Sequence, residues 1–195
     1  MIKKYYSTFL AFNKHHFLEN KKSILINLAI FFGVILILTL IDQLTKTFLF
    51  SWADQPDSDG KWQGDGVIKG DYVLFGIKSV ANYGVTLFGG LFPTWVLHVF
   101  SIFIFILCSS FALYSHDKLL IFAIAFTFAG TLGNFLDRAM FDGAVKDIIF
   151  IPWLQSFNFV SGVFNFADMW LFVGSIIAVA YIILLGVRHY KHNKM

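Results

Sequence analysis

Charge is scarce in this chain. Of its 195 residues only 14% are charged and 57% are hydrophobic, where a soluble domain carries about 25% charged residues. That balance excludes an ordinary water-soluble globule, and 25 phenylalanines and 5 tryptophans agree. Cysteine is nearly missing too. The one present, Cys108, lies inside an apolar run, so no intrachain disulfide can form and the residue reads as a small packed side chain. With no cysteine pair and no H-E-x-x-H helix, zinc finds no ligand set of recognisable spacing. All six histidines lie outside segments 51–94 and 137–168, where the acids gather. The Asp54–Asp65 stretch resembles a calcium loop only faintly. With Gly60 at the turn, the first and last ligands would be Gln55 and Gly66, which cannot serve. No metal and no nucleic-acid partner is therefore expected; the net charge of +3 sits at the two ends and speaks of membrane topology.

What the chain has in quantity is long apolar runs. Ile24–Leu40 is broken only by Asn27, Gly33 and Thr39, and about 20 apolar residues cross a bilayer, so Ser23–Phe50 reads as a first span. Trp95–Tyr114, Leu119–Leu136 and Met169–Val187 read as three more, with Ala129, Gly130 and Gly133 permitting close helix packing in the third. Residues 1–23 hold five lysines against one acid, Glu19, and no cleavage site follows the first span. They form a basic arm or an interfacial amphipathic piece. Residues 24–188 form one membrane domain, and 189–195 a basic tail. Between the first two spans, the 51–94 loop carries short β-like pieces at Val67–Ile68, Gly70–Asp71, Tyr72–Phe75 and Ile77–Val80, which suggest a small sheet outside the membrane. Val85–Phe92 is expected to dip into the interface, and Ile148–Leu154 to return as a strand or interfacial piece. The fold class is membrane α-helical: four transmembrane helices and a small extracytoplasmic β-sheet or cradle.

Both ends are basic, so the positive-inside tendency puts both in the cytoplasm, which four spans allow. Segments 51–94 and 137–168 then fall outside, with five aspartates to three lysines and four aspartates to two cations. Asp42, Asn82, Arg138, Asp147 and Asp168 share that external boundary. Ionisable groups at such a depth are expensive unless paired or used. Two carboxylates held close cannot both ionise; one then takes a proton from water while the other gives one to a carbonyl. Asp137, Asp142, Asp147 and Asp168 are all candidates by position, although Asp142 before Gly143 reads more simply as a turn residue. Asp42 and Lys46, four residues apart, read as a structural ion pair, and Asp168 alone could be a helix cap. A small transporter or channel subunit is the competing reading, since membrane acids also mark ion paths.

Several motifs then occur in order. Asp42 and Lys46 stand in DQLTK, Asn82 and Gly84 in NYG, and Gly133, Asn134, Asp137 and Arg138 in GNFLDR. Asp147 stands in VKDII, and Asn165, Ala167 and Asp168 in FNFAD. Together they resemble the lipoprotein signal peptidases, or signal peptidase II, inner-membrane aspartic proteases with four transmembrane helices. Thr86 and Leu87 depart from that family's usual Ala and Phe after the N-x-G element. The resemblance implies that Asp147 and Asp168 form the catalytic dyad. Asn134, Arg138 and Asn165 would position substrate or dyad, and Asp42, Lys46, Asn82, Gly133 and Asp137 would support the site. It implies hydrolysis just before the diacylglyceryl-modified cysteine of a prolipoprotein, without metal or cofactor. The enzyme would work as a single chain among membrane lipid, with its active site facing outward.

Overall fold

The computed structural model describes residues 2–84, 93–155 and 162–192. The interfacial dip expected of Val85–Phe92 lies outside them. The chain runs α1 (Ile2–Glu19), α2 (Lys21–Leu49), β1 (Ile68–Asp71), β2 (Gly76–Asn82), α3 (Thr94–Tyr114), α4 (Lys118–Met140), β3 (Val145–Phe150), α5 (Pro152–Gln155) and α6 (Phe166–His192). Among the described residues, four helices are long and apolar enough to cross a membrane: Lys21–Leu49, Trp95–Tyr114, Lys118–Met140 and Phe166–Arg188. The basic arm is itself mostly helix. It docks by His16, whose Nε2 donates to Leu113 O at 3.1 Å at the end of α3.

Helix ends follow local chemistry. Asp117 caps α4 by accepting from Leu119 N at 2.9 Å, which satisfies an amide that has no partner within the helix. At the same end, buried Asn27 of α2 donates to Ala112 O and Ser115 O, the free carbonyls closing α3, and accepts from Lys118 Nζ. The one asparagine of the first apolar run is thus spent on a neighbouring helix terminus.

The core lies where α2, α3 and α4 meet. It is built from Phe31, Ile35 and Leu38, from Cys108 and Ala112, and from Ile121, Ala125, Phe128 and Ala129. Phe31 and Phe128 stack with centroids 6.2 Å apart. α4 packs most extensively on α6 and next on α2, which makes it the central helix. Small residues permit this. A Cβ on Gly130 would come within 2.2 Å of Ala167 O, and one on Gly133 within 2.5 Å of Asp42 Oδ2. The outward residues Phe172, Ile176, Val179 and Ile183 of α6 are exposed, a face suited to lipid rather than water.

Beyond one end of the bundle, the three strands pair in the order β1-β2-β3, all antiparallel. Tyr72–Phe75 is a turn and not a strand, closed by Tyr72 N to Phe75 O at 2.9 Å. The expected strand at Ile148–Leu154 begins earlier, at Val145, and stops before Pro152, which cannot donate to a ladder. Its pairing with β2 sets Val80 opposite Asp147 and Asn82 opposite Val145. The third span also runs on: α4 keeps its helical bonds through Arg138 to Met140. The chain then reverses through Asp142 (φ 50°) and Gly143 (φ 89°), both left-handed.

Candidate active site

A buried ionic knot ties three helices below the sheet. Lys46 of α2 pairs with Asp42 one turn earlier at 2.8 Å and with Asp137 of α4 at 2.9 Å, and all three side chains are fully buried. A lysine with no access to water is tolerable only when its donors are met. Its third goes to Asn134 Oδ1 at 3.2 Å. Each acid has a second duty. Asp42 Oδ1 accepts from Ala167 N at 2.8 Å, capping α6 from another helix, and Asp137 Oδ2 accepts from Lys146 N at 3.0 Å, holding β3 to α4. Gln43 completes the knot by donating from Nε2 to Asp42 Oδ2, Asp137 Oδ1 and Gly133 O. The ion pair read from spacing is therefore one edge of a junction joining α2, α4, α6 and β3.

From that junction the amides of three asparagines reach two further carboxylates. Asn134 passes the contact on, since its Nδ2 donates to Asp168 Oδ1 at 2.8 Å. Asn165 stands before α6 and trades hydrogen bonds with Asp168: Asp168 N donates to Asn165 Oδ1 at 3.0 Å, and Asn165 N to Asp168 Oδ2 at 3.2 Å. This reciprocal capping pair puts Asp168 in the first helical turn and gives the cap itself to Asn165. The fourth span accordingly starts at Phe166, three residues before the expected Met169. Asn165 Nδ2 also donates to Asp147 Oδ1 at 2.6 Å, so one side chain contacts both aspartates. Asn82 Nδ2 supplies the other oxygen, Asp147 Oδ2, at 3.0 Å, while its own Oδ1 accepts from Gly84 N.

Asp147, Asp168, Asn82, Asn134 and Arg138 line one cavity of about 400 Å³, walled on the far side by Leu97 and Phe100 of α3. Arg138 Nη2 donates to Gly84 O at 3.3 Å, and its Nε has no hydrogen-bond partner among the described residues. Burial pushes the Asp147 carboxyl up to about 7, and the neighbouring charge of Asp168 pushes the same way. The amides of Asn82 and Asn165 oppose that rise by favouring the ionised form. A carboxyl titrating near neutrality beside a second acid is suited to holding a proton and giving it up.

The sequence-predicted residues thus divide. Asp147, Asp168, Asn82, Asn134 and Arg138 line the cavity and Asn165 is buried against its two aspartates, whereas Asp42, Lys46, Asp137 and Gly133 lie in the junction. Asp142 fronts a different cavity. The part played by Gln43 does not follow from the motifs, although a glutamine beside Asp42 in an apolar helix is itself a signal. Among the described residues, no three His, Cys, Asp or Glu side chains gather as metal ligands do.

Comparison with known proteins agrees with the motifs. The family described as Signal peptidase (SPase) II matches residues 34–184. Lipoprotein signal peptidase of Bifidobacterium longum (strain DJO10A) is 32% identical over 163 residues, covering 81% of this chain and 80% of that protein. The protein of the same name from B. longum subsp. infantis is 31% identical over the same length. A bacterial membrane enzyme structure obtained in meso at 1.9 Å is similar with a TM-score of 0.61 and 25% identity, covering 78% of this chain and 91% of that one. Another at 2.3 Å gives a TM-score of 0.59, covering 85% and 91%. By fold, ordered motifs and relatives alike, the chain belongs to the signal peptidase II family.

Proposed function

We propose that the chain is an aspartic endopeptidase that removes signal peptides from diacylglyceryl-modified prolipoproteins, cutting just before the lipidated cysteine. One observation carries the reading. Asp147 and Asp168 come from separate chain segments, line a single cavity, and are each oriented by amide donors that leave them little freedom. Asp147, with its carboxyl raised to about 7, is the partner that holds a proton and donates it to the carbonyl oxygen of the scissile bond. Asp168 takes the proton from the attacking water, so the water oxygen bonds to the carbonyl carbon as the C=O π pair moves to oxygen. The tetrahedral species then collapses: the C–N bond breaks, its electrons go to nitrogen, and Asp168 returns its proton to the departing amine of the cysteine. The gem-diol proton on the former carbonyl oxygen returns to Asp147, which restores the dyad. The Nε of Arg138, which has no partner among the described residues, supplies a donor for substrate at the cavity wall. Both basic ends lie in the cytoplasm, the cavity opens toward the outer face, and the enzyme acts as a single chain.

The test is direct. Purified protein is mixed with a prolipoprotein carrying the diacylglyceryl group and, separately, with the same chain unmodified. Cleavage confined to the lipidated form supports the reading. No cleavage of either overturns it.

A further inference from the structure

Helix α1 lies outside the stretch common to the signal peptidase II family, which begins at residue 34. Asn20 is a bend between α1 and α2 (φ −104°, ψ 14°), and the last turns of α1 lean on the end of α3. The His16 ring stacks on Tyr114 with centroids 5.1 Å apart, Phe17 meets the same ring edge-on, and Tyr114 OH donates to Asn13 Oδ1 at 2.6 Å. With the bond from His16 to Leu113 O, these contacts fix α1 at the end of the bundle remote from the two aspartates. Lys21, where α2 begins, stands about 32 Å along the helix from Asp42, close to the thickness of a bilayer's apolar layer.

The helix has two sides. Positions Ile2, Tyr5, Phe9, Phe12 and His16 recur at three- and four-residue spacing and share one face, whereas Lys3, Lys4, Lys14 and His15 fall on the other. Leu10, Phe12 and Leu18 are exposed, and so are Lys14, Lys21 and Lys22. Acid is scarce at this end. Glu19 is the one acid of residues 1–23, and it stands 3.0 Å from His15 Nε2. Asp117 is spent on capping α4. Residues 188–195, which close the chain at the same end, add Arg188, Lys191 and Lys194 and no acid.

We propose that α1 is an interfacial anchor for anionic phospholipid. It lies along the leaflet at the end of the bundle remote from the dyad, with Leu10 and Phe12 reaching the acyl boundary and Lys14, Lys21 and Lys22 among acidic headgroups. Both halves of that chemistry are needed. Exposed apolar side chains call for an apolar phase, and an excess of cations beside them calls for negative charge; an acidic lipid surface offers both, and an acidic protein offers the second alone. Asn13 and His16 fix the angle of the anchor by tying it to α3. The role is independent of the chemistry at the dyad.

The test uses the full-length protein with a polarity-sensitive fluorophore on Leu10→Cys; Cys108, buried in the core, stays unlabelled. The protein is placed in nanodiscs of phosphatidylcholine alone and in nanodiscs with about one-third phosphatidylglycerol, and quenching by neutral acrylamide is measured. In the anionic discs the quenching constant should be about fivefold lower, the scale of one lysine at a charged surface. Salt at about 1 M, where the screening length is about 3 Å, should remove the difference. So should the combined Lys14→Gln, Lys21→Gln and Lys22→Gln variant, whose three side chains are exposed and do not put folding at risk. Equal quenching of wild type in the two lipids overturns the proposal, as does a difference that survives the triple variant.

Discussion

Lys46 of α2 meets Asp137 of α4 at 2.9 Å with neither side chain reaching solvent. The pair joins two helices, and through Asn134 the same ammonium is one step from Asp168. The first prediction concerns this junction. Lys46→Met leaves Asp42 and Asp137 buried without a counter-charge and destabilises the protein by about 3–5 kcal/mol. Thermal unfolding in detergent measures it; an unchanged melting temperature would contradict the role given to Lys46.

Close approach of α4 to α2 and α6 gives the second. Gly133→Ala forces a methyl to within 2.5 Å of Asp42 Oδ2 and 3.0 Å of Ala167 Cβ. Overpacking of this kind costs about 1–3 kcal/mol, and it pushes on the carboxylate that caps α6. The melting temperature and the peptidase activity should fall together.

Asn165 permits capping to be separated from positioning. Asn165→Asp keeps a favoured helix cap but removes the amide that donates to Asp147 and adds a negative charge beside it. Loss of that hydrogen bond, worth about 1.5–3 kcal/mol once Asp147 is ionised, should drop kcat roughly 10- to 100-fold, and the added charge at a fully buried position should lower the melting temperature as well. A fall in stability without a fall in kcat would assign Asn165 to the helix alone.

The pH profile follows from Asp147. Its carboxyl is raised to about 7 by burial and by Asp168, so the proton needed for donation is present below that pH and lost above it. The rate of cleavage should fall as pH rises through about 7. Asn82→Ala removes an amide that favours the ionised form, so the alkaline limb should move to higher pH. A shift to lower pH would contradict that contact.

How much of this was legible beforehand depended on distance along the chain. Apolar runs show themselves locally, so the four spans were readable to within a few residues, and Asp42 with Lys46 follows from one helical turn. Ends were less readable, because they are decided by partners far away. Met169 looked like the start of a helix, yet Asn165 and the carboxylate of Asp42, 125 residues upstream of Ala167, cap α6 earlier. The third span looked complete at Leu136, because Asp137 and Arg138 are polar; Asp137 stays helical and buried because Lys46 neutralises it. The start of strand β3 at Val145 was hidden for a similar reason. Its ladder partner is β2, more than 60 residues away, and its almost wholly buried run lacks the alternation that marks a half-exposed strand. The proposed dyad rests on the ordered motifs; spacing alone leaves four aspartates open.

The central claim is that Asp147 and Asp168 hydrolyse the bond together. Intact-mass measurement of a lipidated prolipoprotein after incubation with wild type, Asp147→Asn and Asp168→Asn, each shown to be folded, tests it most directly. Wild type should release the signal peptide, and each variant should lose about 10,000-fold or more in rate. Cleavage persisting near the wild-type rate in either folded variant would contradict the account.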